Sequence, residues 1–281
     1  MANALNADAT IRQRRLAERL KQLRGDRTAT DVADATGITK SKISRIESCY
    51  VRAQPQDVET LARAYGVDDE QREKLVQQAH EAYNSTVMRD YIGYEWASAL
   101  QSHLELEADA SRIDSFTIDL VPGLLQTREY TRALIAKRPD VDQETIERRL
   151  DFRALRQRRV TSQDLQLWAV INETVLYQQI GGRATLADQL EALADSPPNV
   201  TIQVQPFTSG AHPSLGTSFH LFQFPESPKL VYQDTIRRGI YQDDAETVRN
   251  HEHIMEHTQA SARSPHDSIS WLRDRAAELR A

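Results

Sequence analysis

The sequence predicts a multi-domain chain: an all-α N-terminal domain of five helices, then a C-terminal domain of mixed α/β (α+β) type. Three observations predict it. The chain has 281 residues, too many for one small helical unit and suited to two domains. Roughly its first eighty residues read as consecutive helices with recognisable caps. From about residue 91 short strand-like runs alternate with helical ones. The expected boundaries are 10–82 for the first domain, 83–92 for a linker and 93–281 for the second domain.

In the first domain, residues 11–24 place Ile11, Leu16, Leu20 and Leu23 close to helical spacing, with basic residues on the other faces. Val32, Ala33 and Thr36 mark a short second helix, and Gly37 is a natural stop. Thr39 is a good N-cap for a third helix, which carries Ile43 and Ile46 on its inner face. That leaves Lys40, Ser41, Lys42, Ser44 and Arg45 pointing outward or towards its N-terminal end. Two short helices joined by a Gly-containing turn are the geometry that fits a helix tip into the major groove. Residues 60–79 continue helical, with Asp69 and Glu70 as first-turn acids.

Charge separates the two halves. Between residues 10 and 52, eleven basic residues face five acidic ones, a net +6, whereas the remaining chain carries −12 of the overall −6. A basic module on an acidic body points to a polyanionic partner for the first domain only, against the simpler reading of a solvated basic helix face.

In the second domain, residues 116–121 read as a strand ended by Pro122-Gly123, and helical segments follow near 128–137 and 143–159. Residues 165–171, 199–205, 217–224 and 230–233 read as strands, with a helix over 186–193. Phe219 and Leu221 alternate with Phe222 and Phe224, which predicts a strand buried on both faces. Helices over 244–262 and 269–280 end the pattern. Trp96, Trp168, Tyr177, Phe219 and Phe222 are expected in the core or at an interface rather than around a ligand.

The stretch from Thr28 to Glu47, with Ala33, Gly37, the run Ile43-Ser44-Arg45-Ile46-Glu47, Pro55 and residues 61–67, resembles the XRE, lambda-repressor-like helix-turn-helix family. The resemblance implies base reading by Lys40, Ser41 and Arg45, and phosphate contacts by Thr28, Thr39, Lys42, Ser44 and Arg52. The residue types agree. Arginine can grip guanine O6 and N7 with two bonds, lysine reaches the same acceptors less selectively, and hydroxyls beside free amides at a helix start suit phosphate. The acid at Glu47 is implied to tie helices together through an arginine. The sequence departs from the family in one place. Cys49 stands where the family has a left-handed glycine, so the helix is expected to end differently. Cys49 is read as a tolerated small residue, with a redox switch as the alternative.

Three segments of the second domain, VPGLLQTREYTRAL (121–134), ETVLYQQIGG (173–182) and NVTIQVQPFTSGAHP (199–213), resemble the C-terminal domain of actinobacterial WhiJ-like, antitoxin-like regulators. The resemblance spans nearly all of 91–281. It implies developmental or toxin–antitoxin-like regulation, often with a small acidic partner protein. From the residues themselves, Pro122, Gly123, Glu173 and His212 are candidates for a regulatory pocket where strand ends meet loops, against the simpler reading that Pro and Gly make turns.

Other chemistries find little support. Residues 253–257 spell H-x-x-E-H, an inverted zinc-protease pattern. Helical phase puts Val248, His251, Met255, Thr258 and Ala262 on the inner face and His253 and His257 outside, so no metal site is expected. No G-x-S-x-G, Walker A or G-x-G-x-x-G motif occurs. The expectation is therefore a non-enzymatic, cofactor-free regulator, a repressor acting as a homodimer on double-stranded DNA. Its second domain is expected to dimerise and to take a small partner protein or a small-molecule effector. The alternative is an antitoxin-like protein that mainly sequesters its partner. With one cysteine, no apolar run long enough to span a bilayer and no visible signal peptide, a cytoplasmic, membrane-free location is expected.

Overall fold

A computed structural model describes residues 9, 11–83, 103–138, 141–225, 227–235 and 239–281. The expected linker over 83–92 lies outside them, apart from Tyr83, and so does Trp96. The chain divides into two compact units, Met1–Leu106 and Glu107–Ala281.

The first unit holds five consecutive helices, α1 (Ile11–Arg24), α2 (Ala29–Thr36), α3 (Lys40–Glu47), α4 (Pro55–Tyr65) and α5 (Asp69–Tyr83). Local chemistry sets their ends. Thr28 and Asp31 form a reciprocal capping box at the start of α2. Gly37 closes that helix in the left-handed region at φ 73°. Thr39 then caps α3 by accepting the Lys42 amide at 3.3 Å. Pro55 opens α4 where its missing N–H costs nothing. One apolar cluster joins the helices, with Leu20, Ile43, Val58 and Leu61 almost fully buried.

Cys49 corrects an expectation. The chain leaves α3 through a left-handed residue after all, with Cys49 at φ 60°. The strain of a side chain there is about 1 kcal/mol. Burial compensates, since Cys49 packs with Ala9 and Ala17 and its Sγ lies 3.7 Å from the Gln13 carbonyl.

The second unit is built on a six-stranded mixed sheet in the order β3-β2-β1-β4-β5-β6. Its strands are β1 (Arg112–Thr117), β2 (Gln166–Asn172), β3 (Val200–Gln205), β4 (Phe219–Gln223), β5 (Leu230–Asp234) and β6 (Gly239–Gln242). Strands β1, β2 and β3 are parallel, and β4 to β6 are antiparallel. The parallel half needs long crossovers. These are α6 (Arg128–Ile135) with α7 (Gln143–Thr161), and then α8 (Arg183–Ala194). Helices α9 (Ala245–Ser261) and α10 (Pro265–Arg280) finish the chain.

Helices cover both faces of the sheet. Ala169, Ile171, Ile202 and Val204 pack beneath Leu190 of α8 and Leu272 and Ala276 of α10. Phe116, Val170, Phe219 and Leu221 pack against Val248 and Met255 of α9. On α9, Met255 and Thr258 are buried while His253 and His257 are exposed.

Three expectations shift. The first strand begins at Arg112 rather than Phe116, because Asp114 is buried in the strand. Its carboxylate is held by Arg112 at 2.7 Å and by Gln223 of β4 at 2.6 Å. Helix α10 starts at Pro265, capped by Ser264. Finally, β6 is a short edge strand that the sequence reading did not include.

Candidate nucleic-acid interface

Helix α3 presents two faces because its residues turn by 100° each. Ile43 and Ile46 are buried in the helical core. Lys40, Ser41 and Arg45 are exposed and share the opposite side, with Thr39 exposed at the helix start. Arg45 makes only a loose contact, its Nε 3.3 Å from the Ser41 carbonyl. Arg52 is exposed on the loop that follows.

A set of ion pairs fixes the helix that carries these groups. Glu47, at the end of α3, takes two bonds from Arg24 of α1, Nε to Oε1 at 2.7 Å and Nη2 to Oε2 at 3.1 Å. Both side chains are less than a fifth exposed, and the pairing raises the Arg24 pKa. A bidentate pair of this kind fixes orientation as well as distance. Arg27 donates to the carbonyls of Ala64 and, at 3.1 Å, Tyr65, closing the C-terminal end of α4. Its guanidinium stands 5.6 Å from the Tyr65 ring, whose hydroxyl is pushed up to about 12 by burial.

The predicted phosphate residues divide. Lys42 belongs to the frame: its Nζ is 2.7 Å from Asp57 Oδ1 on α4, so its charge is already neutralised. The reason is angular, since Lys42 lies one step off the exposed face, on the side nearer α4. Thr28 also departs from the reading. Its hydroxyl donates to Asp31 Oδ2 at 2.8 Å and accepts the Asp31 amide, which leaves no spare proton. Ser44 is partly buried, and its carbonyl takes the Ser48 hydroxyl at 2.6 Å. Thr39 accepts an amide but keeps its hydroxyl proton available. Thr39 and Arg52 therefore flank the exposed face as predicted phosphate groups with donors to offer.

The four pocket candidates share one edge of the second unit's sheet. Pro122 and Gly123 follow β1, Glu173 follows β2 and His212 follows β3, so all lie beyond the carboxyl ends of the parallel strands. Each has a local task there. Glu173 Oε2 accepts the Phe207 amide at 2.7 Å. His212 Nδ1 lies 2.8 Å from Ser214 Oγ, its ring edge-on to Phe116, and burial lowers its pKa. Gly123 starts a short 3-10 turn after Pro122. A small cleft nearby is lined instead by Gln126, Thr131, Leu150, Arg153 and Gln157. Arg153 was invisible as a site residue in the sequence, because it is one arginine among several on α7.

Among the described residues no group of three or more His, Cys, Asp or Glu is placed to hold a metal ion. Nor is any described helix long and apolar enough to cross a membrane.

Two family models match. A helix-turn-helix domain covers residues 15–75, which takes in α2, α3 and the turn between them. A domain of unknown function, DUF5753, covers residues 100–274. The chain belongs to the DUF5753 family. No curated protein and no solved structure matches it. DUF5753 carries no described activity, so the functional information of this DUF5753 chain comes from the helix-turn-helix domain in front of it. A domain of that type marks a DNA-binding regulator.

Proposed function

We propose that the chain is a sequence-specific transcriptional regulator that binds double-stranded DNA through α3, with base edges read by Lys40, Ser41 and Arg45. The observation that carries this reading is the exposure of those three side chains on a helix whose other face is locked by Glu47–Arg24 and Lys42–Asp57. Preorganised donors lose less entropy on binding, so a rigid tip suits groove reading. Thr39 and Arg52 hold phosphates beside it.

The finer reading is a cytoplasmic, non-enzymatic repressor of the XRE type, acting as a homodimer. Its DUF5753 domain pairs the subunits and takes a signal or a small partner protein, as the likeness to WhiJ-like regulators implies. Half-sites then lie about 34 Å apart or at a multiple of that.

Genomic footprinting of the full chain identifies the operator. Arg45→Ala is then expected to lower discrimination between operator and random duplex by about 1–3 kcal/mol. Equal weakening on both duplexes would refute base reading by Arg45, and no footprint anywhere would refute the regulator reading.

A further inference from the structure

Arg153 of α7 is a partly buried guanidinium with no hydrogen bond and no ion pair among the described residues. The carboxylates near it are committed elsewhere. Glu107 is held by Arg156 through bonds of 2.7 and 2.5 Å, and Asp234 accepts the Tyr232 hydroxyl. Arg138 and Arg156 add like charge nearby, and burial and these neighbours push the Arg153 pKa down to about 9. Glu107 and Asp234 act on Arg153 only through space, and a largely buried guanidinium with no hydrogen-bond acceptor of its own is costly to keep.

The surroundings are shaped around this group. Its Nη1 lies inside contact distance of where a Cβ on residue 123 would be, so the glycine at 123 lets the guanidinium sit against the turn in this position, and a larger residue would make it shift. A cavity of about 60 Å³ opens beside it, walled by Gln126, Arg128, Thr131, Leu150 and Gln157, with Arg128 already bonded to Asp151 and Glu147. The amide and hydroxyl groups in that wall are bonded within it. Gln157 Nε2 donates to the Gln126 carbonyl at 2.7 Å, and Thr131 Oγ1 donates to Gln126 Oε1 at 3.1 Å. Arg153 brings a whole guanidinium of unused donors to the space, and such a group matches carboxylate or phosphate oxygens two at a time. The volume admits a group of a few heavy atoms, well below that of a drug-sized ligand.

We propose that this cleft, between the Gly123 turn and α7, binds a small oxyanion, a carboxylate or a phosphate group, through Arg153. The site lies wholly within the second unit and does not depend on the DNA-binding reading.

The test is thermal unfolding of the full chain at pH 7 and constant ionic strength in sodium acetate, sodium phosphate or sodium chloride. The expected result is a saturable rise over chloride of roughly 5 °C at one hundred times the dissociation constant. A rise in acetate alone assigns a carboxylate, in phosphate alone a phosphate, and in both a shared oxyanion site. Arg153→Met is expected to abolish the rise, and Arg158→Gln, an exposed change of equal charge on the same helix, to leave it. In case Arg153→Met does not fold, the arginine Nε–H resonances of the unmodified protein are followed by NMR during the same titrations, where one is expected to move and saturate. Absence of a saturable rise, a rise that survives Arg153→Met, or unmoved resonances overturns the proposal.

Discussion

Arginine does opposite work in the two units. In the helix-turn-helix unit, Arg24 and Arg27 are spent on the frame, while Lys40, Arg45 and Arg52, on and beside the exposed face of α3, stand in water. In the DUF5753 unit, charge is drawn inside. Arg156 and Glu107 form an ion pair with both side chains less than a tenth exposed, and Arg153 sits beside it unpaired. Exposed cations cost little and remain free to meet an external polyanion. Interior cations must be neutralised, by the protein or by something it binds. The contrast explains how one chain can combine a DNA-facing surface with an interior that responds to a small anion.

The largest expected effect that tests this contrast is in the interior. Arg156→Ala removes the guanidinium that holds the buried Glu107 by two bonds and is expected to destabilise the second unit by about 3–5 kcal/mol in urea unfolding. A loss under about 1 kcal/mol would mean that the pair is solvated and the contrast false. Next is the frame of the first unit. Glu47→Gln removes a charged, bidentate bond and is expected to cost about 2 kcal/mol of stability in the same assay. It should weaken DNA binding mainly through that loss, so operator affinity measured well below the melting temperature should change less than in Arg45→Ala.

Lys42 and Arg52 sharpen the comparison within the first unit. Arg52→Ala is expected to reduce the slope of log affinity against log salt by about 1, the signature of one lost phosphate contact. Lys42→Met is expected to leave that slope unchanged, because Asp57 already neutralises the ammonium. A reduced slope for Lys42→Met would return that lysine to the DNA surface.

The smallest effect concerns Cys49. Burial pushes its thiol pKa up, so at pH 8 less of it is thiolate than in an exposed cysteine. Its reaction with a disulfide reagent should be several-fold slower in the folded chain and recover on unfolding. Reaction as fast as free cysteine would favour the redox alternative. Cys49→Gly is expected to shift stability by under about 1 kcal/mol, since relief at φ 60° is offset by lost packing and added chain entropy.

Much of this was legible beforehand because it rests on local signals. Gly37, Thr39 and the Ile43–Ile46 spacing act within one or two turns of chain, so the helix-turn-helix and its exposed tip follow from nearest-neighbour chemistry. The inner and outer faces of α9 follow from helical phase alone. The start of β1 was misplaced because Asp114 reads as polar until Gln223, over a hundred residues later, supplies its partner. The edge strand β6 has four residues and owes its place to pairing with β5.

By itself, the sequence determined most of the helices and strands, the caps of α2 and α3, and which cations lie on the outer face of α3. Periodicity and caps operate over a few residues and need no distant partner. Only the tertiary structure decided that Lys42 is neutralised by Asp57, that Cys49 is buried in a left-handed turn, and that Arg153 lies against Gly123 without a hydrogen-bond partner among the described residues. Electrostatic pairing and burial depend on which groups the fold brings within a few ångströms, and that information is distributed over the whole chain.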